Sequence, residues 1–220
     1  MMDLGWLFNP GTLLFLAGGL GVTLQLAAIA IVVSFAAGVA LALARLSPLA
    51  PLRIAATLYI EGMRALPVLL VIFFSYFALP KVIGVKLSPF EAGAIAMSAF
   101  TAALIAEIVR AGIRAVPRGL IEAAQAQGFS SVQIVRLVTL PIAVRQMMPA
   151  LVAQFVTLLK DTSLTAVIGI LELTRRGQLV FAQPPFQPIP VFALIALVYF
   201  TVNFGLGRIG RRLETRTLAG

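Results

Sequence analysis

One uncharged stretch near the amino terminus limits the chain to a small set of folds. No residue from Leu4 to Ala44 is charged. A helix needs about 20 consecutive apolar residues to cross a bilayer core, and inside that core only helices and closed barrels satisfy the backbone. We therefore predict a long, tilted membrane helix over about residues 12–44, after a turn at Asn9-Pro10-Gly11. The first residues lack a basic region and a cleavage site, so we expect no cleaved signal peptide.

The composition of the whole chain extends this prediction to a protein with several membrane spans. Hydrophobic residues make up 60% of the 220 residues and charged residues 11%, whereas a soluble domain carries about 25% charged residues. The chain contains no cysteine and no histidine. Their absence removes thiolate metal sites, thiol catalysis and the most common general base. The sequence therefore indicates neither an enzyme nor a metal site.

Four more apolar segments follow the first. We predict spans at about residues 55–79, 90–116, 146–170 and 191–208, which gives one domain over residues 1–220 with an all-α fold of five transmembrane helices. The net charge is +9, and most arginines flank these spans on one side. The other side has only Lys81, Lys86, Arg175 and Arg176. Because cytoplasmic loops carry the excess of Lys and Arg, the amino terminus is predicted outside and the carboxyl terminus in the cytoplasm. The basic excess therefore does not indicate nucleic-acid binding.

The segment from Pro117 to Pro141 is too polar for a span and lies on the predicted cytoplasmic side. Pro117 suits the first turn of a helix, and Gly128 suits its left-handed end. Either Ser130 or Ser131 is expected to cap a second helix, and Pro141 to stop it. The pattern predicts a helix–Gly–helix elbow between the third and fourth spans.

Two neighbouring spans each carry an acid and an arginine three residues apart. Glu61 and Arg64 form one such pair, and Glu107 and Arg110 form the other. Charges in membrane segments are costly and usually pair inside the bundle. We predict that the two pairs form one network near the cytoplasmic face, and simple anchoring of the helices is as good an interpretation as a part in transport.

The fourth span is the most polar of the five. Its residues Gln154, Thr157 and Asp161 have the spacing of one helix stripe. Thr162, Ser163 and Thr165 follow and could return hydrogen bonds to backbone carbonyls, which loosens a helix. Because an unpaired carboxylate deep in a membrane marks a pathway or a partner, we predict a functional stripe. A purely structural lock between helices is the alternative.

The spaced pattern of the elbow resembles the EAA loop of ABC-importer permease subunits. The matching positions are Glu122, Ala123, Ala124, Gly128, Leu140 and Pro141. Four further stretches are similar to the polar-amino-acid branch of that family: residues 21–24, 61–67, 107–110 and the Lys-Asp-Thr-Ser-Leu pentad at 160–164. The chain departs from the family's usual pattern at Val138, at Ala65-Leu66 and at Ala153. These departures weaken the assignment of a substrate more than the assignment of the protein class.

The resemblance implies a mechanism and a set of partners. Two permease subunits, identical or related, pair around a central route in the inner membrane of a prokaryote. Two cytoplasmic ATPase subunits, which hold ATP and Mg²⁺, dock on the two elbows through the six matching positions. An external binding protein delivers the amino acid. This chain has no phosphate-binding loop of its own, so it is expected to carry no cofactor.

The chemistry of an amino acid suggests which residues line that route. A zwitterion needs an acceptor for its ammonium group and donors for its carboxylate. We predict that Gln154, Thr157, Asp161, Thr162 and Ser163 supply them. The main alternative for the whole chain is an ATP-independent secondary transporter or channel subunit, which has no use for the elbow. A different importer branch shares the elbow, and an intramembrane enzyme ranks third.

Overall fold

The computed structural model of the chain describes residues 5–184 and 187–218. Within these ranges the structure is helical and contains no strand. The α-helices are α1 (Pro10–Leu46), α2 (Ala50–Ala65), α3 (Val68–Phe73), α4 (Leu79–Ile83), α5 (Pro89–Arg114), α6 (Arg118–Ala126), α7 (Ser131–Ile134), α8 (Leu140–Asp161), α9 (Leu173–Phe181) and α10 (Pro188–Leu218). Two π-helical turns (Phe74–Ala78 and Val135–Thr139) and one 3-10 helix (Thr162–Ile168) join some of them.

Four helical segments in the described ranges are long and apolar enough to cross a membrane. They are Pro10–Leu46, Pro89–Arg114, Ser131–Ile168 and Pro188–Arg212. A bent pair, Ala50–Ala65 with Val68–Ile83, becomes a fifth span if its two halves are counted together. The predicted class, an all-α membrane protein with up to five spans, is confirmed.

The second span, predicted as one helix over about residues 55–79, is broken into two halves. Its two halves meet at an angle of 108°, and the break falls at Leu66 and Pro67. Leu66 adopts an extended conformation, with φ −95° and ψ 142°. Proline disfavours the helical conformation at the residue before it and donates no backbone hydrogen bond. The sequence contained the proline, but the size of the bend depends on how the two halves pack.

The prediction that Pro141 stops the second helix of the elbow is wrong. Helical structure continues from Ser131 to Ile168, so the elbow and the fourth span share one rod. The π-helical turn at Val135–Thr139 ends two residues before Pro141. Such a wide turn shifts the hydrogen-bond register by one residue, which accommodates the proline ring and its missing N–H. Pro149 also lies inside α8 without ending it.

The bundle is centred on α5, which packs along α1. In the most apolar window of α5, 61% of residues are buried inside the chain, against 11% in α10. The two helices approach closely at Gly38 of α1, where a Cβ atom would be 2.7 Å from Ile105 Cγ2 and 2.9 Å from the Ala102 carbonyl oxygen. Only a glycine lets the two helices meet at that distance. α1 and α5 therefore form the fixed centre that orients the surrounding helices.

Candidate functional site

The first helix of the elbow ends as the sequence predicts. Gly128 has φ +83°, a left-handed conformation that glycine adopts without a side-chain penalty. Its N–H donates to the Gln125 carbonyl at 2.9 Å, and the Phe129 N–H donates to the Ala124 carbonyl at 3.1 Å. These two bonds form a Schellman motif. The change of direction after α6 is therefore built by Gly128 and backbone bonds alone.

The second helix of the elbow begins with a capping box. The Ser130 Oγ accepts a hydrogen bond from the Gln133 N–H at 3.4 Å, and the Gln133 Oε1 accepts one from the Ser130 N–H at 2.8 Å. This reciprocal pair satisfies two backbone donors at a helix start. Of the two serines that the sequence left open, Ser130 is the cap.

The elbow projects an exposed surface from the bundle. Ala124 and Ile134 are buried, whereas Glu122, Ala123 and Gly128 are exposed. Several large apolar side chains are exposed on the same segment: Leu120, Phe129, Val132, Val135, Leu137 and Leu140. Pro141 is exposed as well. A cluster of exposed large apolar side chains on one short segment is typical of a protein-binding element.

The two predicted ion pairs are present, and a fifth residue joins them. Glu61 contacts Arg64 at 3.7 Å, and Glu107 contacts Arg110. Arg45 donates to Glu61 at 2.7 Å and to Glu107 at 2.8 Å. Arg45 is not among the residues predicted for the network. The only signal in the sequence was its position as the first charge after the long uncharged stretch. In the structure it faces two acids of other helices.

The network ties three helices together at the end of the bundle nearest the elbow. Arg45 ends α1, Glu61 lies in α2 and Glu107 lies near the end of α5. The Arg45 side chain is 18% exposed and that of Glu61 is 54% exposed. Arg45 is therefore the more shielded partner, and its guanidinium spans both carboxylates as bidentate geometry allows.

A groove of about 440 Å³ lies between α5 and α8. Its polar lining consists of Arg64, Glu107, Gln146 and Gln154. One of these, Gln154, belongs to the predicted stripe of α8, and two belong to the charge network. The structure thus brings the beginning of the stripe and the network, which are far apart in sequence, to one groove.

The remaining residues of the predicted stripe have different surroundings. Thr157 is exposed, and Asp161 and Ser163 are half-buried. Within the described part of the chain, the Asp161 carboxylate accepts no hydrogen bond and forms no ion pair. It is therefore available to another group.

Thr162 is the exception in this set. It is 0% exposed, and its hydroxyl donates to the Leu159 carbonyl at 2.7 Å. Thr165 repeats this contact with the Thr162 carbonyl at 2.6 Å. The predicted return of hydroxyl bonds to the backbone is thus present at Thr162 and Thr165 but, within the described residues, not at Ser163. α8 tightens into the 3-10 helix there. In this conformation the Thr162 side chain is closed off from the groove.

An apolar bundle with a protruding helix–Gly–helix elbow has the architecture of the membrane subunit of a transporter, and comparison with known proteins defines the family. Residues 30–218 match the family described as "Binding-protein-dependent transport system inner membrane component". The chain belongs to this family, the permease subunits of ABC importers. It is a transport subunit and not an enzyme, and the family excludes the ATP-independent transporter that was the main alternative.

Two curated relatives cover much of the chain. It is 40% identical to the "Probable glutamine ABC transporter permease protein GlnP" of Bacillus subtilis (strain 168), over 98% of this chain and 99% of that protein. It is 38% identical to the "Glutamine transport system permease protein GlnP" of Escherichia coli (strain K12), over 73% of this chain and 74% of that protein. A multi-pass inner-membrane location follows from the family and from the apolar helices.

Solved structures share the fold. The structure described as "Crystal structure of an amino acid ABC transporter with histidines" matches with a TM-score of 0.89 and 29% identity, over 98% of this chain and 100% of that chain. A structure of the MetNI methionine ABC transporter in an inward-facing conformation matches with a TM-score of 0.78 and 20% identity, over 96% of this chain and 99% of that chain. The second likeness concerns the fold alone.

Proposed function

We propose that this permease subunit pairs with a second permease subunit, identical or related, around a route for a polar amino acid. Two cytoplasmic ATPase subunits bind the two elbows, and an external receptor delivers the amino acid. ATP and Mg²⁺ belong to the ATPase subunits, because this chain lacks a phosphate-binding loop. The exposed elbow of α6 and α7 is the observation that carries the proposal.

The proposed orientation puts the amino terminus outside and the elbow in the cytoplasm. Arg45, Arg110 and Arg114 lie at the helix ends nearest the elbow, and Arg118 and Arg136 lie on it. Positive charge concentrates on the cytoplasmic side of membrane proteins. An elbow on this side is within reach of a cytoplasmic ATPase.

The rod from Ser131 to Ile168 supports a lever mechanism. It contains 38 residues, or about 57 Å of helix at 1.5 Å per residue. The elbow lies at one end of the rod, and the stripe of Gln154, Thr157 and Asp161 lies toward the other. When the ATPase subunits close on ATP, a displacement of the elbow is passed along a continuous helix to the stripe. No flexible loop intervenes to absorb it.

The proposed route runs from the groove of α5 and α8 along the stripe. Asp161 offers an unpaired carboxylate to an ammonium group, and Gln154 offers an amide to a polar side chain. Ser163 adds a hydroxyl. Because the curated relatives are named for glutamine, glutamine is the substrate we propose to test first, followed by the other polar amino acids.

Reconstitution of the complete complex tests this function. The chain is purified with its ATPase and placed in liposomes with the external receptor, and [¹⁴C]glutamine uptake is measured with and without ATP. We expect uptake that requires ATP. Uptake without ATP, or a chain that never co-purifies with an ATPase, contradicts the proposal.

The role of Asp161 has its own test in the same liposomes. Asp161→Asn removes the charge that faces the ammonium group and keeps the size of the side chain, so we expect the rate of uptake to fall about tenfold. The control is Lys160→Gln, which removes the neighbouring charge from an exposed position. If Asp161→Asn leaves uptake and substrate-stimulated ATPase activity unchanged, Asp161 does not line the route.

A further inference from the structure

A fully buried carboxylate lies outside both the elbow and the groove. Glu172 is 0% exposed and directly precedes α9. Its Oε1 accepts a hydrogen bond from the Arg175 N–H at 2.6 Å, and its Oε2 accepts one from the Thr174 N–H at 2.8 Å. The Tyr199 hydroxyl of α10 donates a third at 3.0 Å. None of these donors belongs to a cationic group, and a buried carboxylate without a cation is costly.

The length of the side chain shows what Glu172 does beyond capping α9. Asp, Asn, Ser and Thr are the preferred residues at the start of a helix, because their short side chains reach the free N–H groups. An aspartate at position 172 would therefore suffice as a cap. The extra methylene of glutamate carries the carboxylate to Tyr199, so the residue joins the start of α9 to a second helix.

Other contacts fix α9 to α1. The Leu173 N–H donates to the Thr23 Oγ1 at 3.2 Å, and the Arg176 guanidinium donates to the Phe15 carbonyl at 2.8 Å. The two helices approach closely at Gly19, where a Cβ atom would lie 3.0 Å from the Leu173 Cα. The α1 side of α9 is therefore held by packing and by two hydrogen bonds, neither of which involves Glu172.

α9 lies against the end of the rod Ser131–Ile168 that is far from the elbow. α9 packs on the 3-10 helix Thr162–Ile168, which forms the far end of the rod. Gly169, with φ +87°, then reverses the chain toward Glu172. A rod that is pushed at the elbow moves its stripe in a defined way only if its other end is supported, and α9 lies against that end.

We propose that Glu172 is a positioning residue of the transport cycle. Together with Tyr199 it holds α9 on α10, and transport stays coupled to ATP hydrolysis only while α9 is held there. The inference rests on the proposed function, since coupling has a meaning only in an ATP-driven importer. It adds to that function a fixed support, α9, for the end of the rod that lies opposite the elbow.

Two substitutions break the tie to α10 and keep the cap. Tyr199→Phe removes the hydroxyl, which also lies 3.4 Å from the Thr174 hydroxyl of α9. Glu172→Asp shortens the carboxylate so that it caps α9 but falls short of Tyr199, and it leaves the contact between Tyr199 and Thr174 in place. In the reconstituted complex we expect both variants to hydrolyse ATP and to transport severalfold less glutamine per ATP. Hydrogen exchange of the α9 amides should be about tenfold faster, because a hydrogen bond to a charged group is lost.

A matched control removes a tyrosine hydroxyl elsewhere. The Tyr59 hydroxyl donates to the Ala99 carbonyl at 2.9 Å and ties α2 to α5. Tyr59→Phe should leave the glutamine transported per ATP and the exchange of α9 unchanged. An equal loss of coupling in this variant would mean that any missing hydroxyl bond has the same effect, and would overturn the role of Glu172.

A disulfide can replace the tie and so separate positioning from general stability. The chain contains no cysteine, which leaves an introduced pair without competitors. A Cβ atom at Gly177 of α9 would lie 3.5 Å from the Val191 Cγ1 of α10, and the flexible Ile195 Cδ1 must rotate aside. Gly177→Cys with Val191→Cys, oxidised in the Tyr199→Phe background, should restore transport per ATP, and reduction should abolish the rescue.

Each result decides between the possibilities. Unchanged coupling in Tyr199→Phe and Glu172→Asp overturns the inference, as does a loss that the disulfide fails to rescue. So does a disulfide that blocks transport when Tyr199 is intact, because α9 must then move on α10 during the cycle. If the unsubstituted complex takes up no glutamine or other polar amino acid with ATP, the proposed function itself is wrong. That failure is distinct from a failure of the role of Glu172, because Glu172 and Tyr199 are intact in this complex.

Discussion

The elbow and α9 are two short amphipathic elements that join spans, and they are held in different ways. The bonds that shape the elbow connect residues at most five apart, such as Phe129 to Ala124. The bonds of α9 reach Thr23, which is 150 residues away, and Tyr199, which is 27 residues from Glu172. The elbow presents apolar side chains to its surroundings, whereas α9 buries its first residues against two helices.

This difference indicates what each element can do. An element shaped by its own local bonds keeps its form while its surface stays free for a partner. An element fastened to distant helices transmits or resists force within its own chain. The rod from Ser131 to Ile168 has the elbow, which its own local bonds shape, at one end. At the other end it lies against α9, which is fastened to distant helices.

The largest expected effect comes from Gly128→Val in the elbow. A β-branched residue is strongly disfavoured at φ +83°, so the Schellman turn opens and the elbow loses its shape. We expect loss of ATPase co-purification and of ATP-driven uptake, while the membrane bundle keeps its thermal stability. Gly119→Ala is the control, because a Cβ atom at Gly119 meets nothing within 4 Å. A Gly128→Val variant with normal uptake would show that the shape of the elbow does not matter.

Gly19→Ala tests how tightly α9 is fastened to α1, and its expected outcome is the reverse of that for Gly128→Val. The added methyl would lie 2.9 Å from Arg176 Cδ and 3.0 Å from the Leu173 Cα, and the backbone atom cannot yield without moving α9. We expect a loss of about 2 kcal/mol in the free energy of unfolding, with ATPase binding retained. Gly21→Ala, where a Cβ atom meets nothing within 4 Å, should be neutral. Equal stability of the two variants would contradict the tight fastening of α9.

Arg45→Ala measures how firmly the elbow end of the bundle is held. It leaves Glu61 and Glu107 without the cation that joins them, at a partly exposed site. We expect a loss of about 1–2 kcal/mol, seen as a lower thermal unfolding midpoint in detergent. Arg53→Ala removes a guanidinium whose one hydrogen bond to the described residues is a long 3.5 Å contact to the Ser47 carbonyl. This variant should change the midpoint much less. A similar drop of the unfolding midpoint in both variants would mean that Arg45 stabilises the bundle only as one of many surface charges and not through its contacts to Glu61 and Glu107.

Ser130→Ala gives the smallest effect and concerns the elbow alone. It removes the cap of α7, which costs about 1 kcal/mol of local helix stability. We expect faster hydrogen exchange in residues 131–135, somewhat weaker ATPase binding and unchanged exchange in α9. Ser131→Ala removes an exposed hydroxyl without a capping role and should leave the exchange unchanged. Faster exchange in α9 in response to Ser130→Ala would mean that the two elements are less independent than their bonds suggest.

Several features could be predicted because they depend on near neighbours in sequence. Uninterrupted apolar stretches identified the spans, and Gly128 marked the elbow. The pairs Glu61/Arg64 and Glu107/Arg110 followed from a spacing of three on a helix. The assignment of the elbow to an ATPase and of the α8 stripe to substrate remains a prediction, because no bound partner or substrate tests it.

Other features depended on which helices meet. Pro67 was visible, but the angle of 108° between the halves of the second span follows from packing. Pro141 was expected to stop a helix, and a π-helical turn carried the helix past it. The links from Arg45 to Glu61 and Glu107 and from Glu172 to Tyr199 had no local signal, since in each case the partner lies on another helix.

The sequence by itself therefore determined the class of the protein, because the cost of placing backbone and charge in lipid applies to each segment separately. It also determined the local turn of the elbow, since left-handed glycine and helix caps act over a few residues. The tertiary structure alone decided that one rod joins the elbow to the stripe, that Arg45 links two acids and that Glu172 is buried beside Tyr199. These depend on the distances between helices, which are set by the packing of the whole bundle.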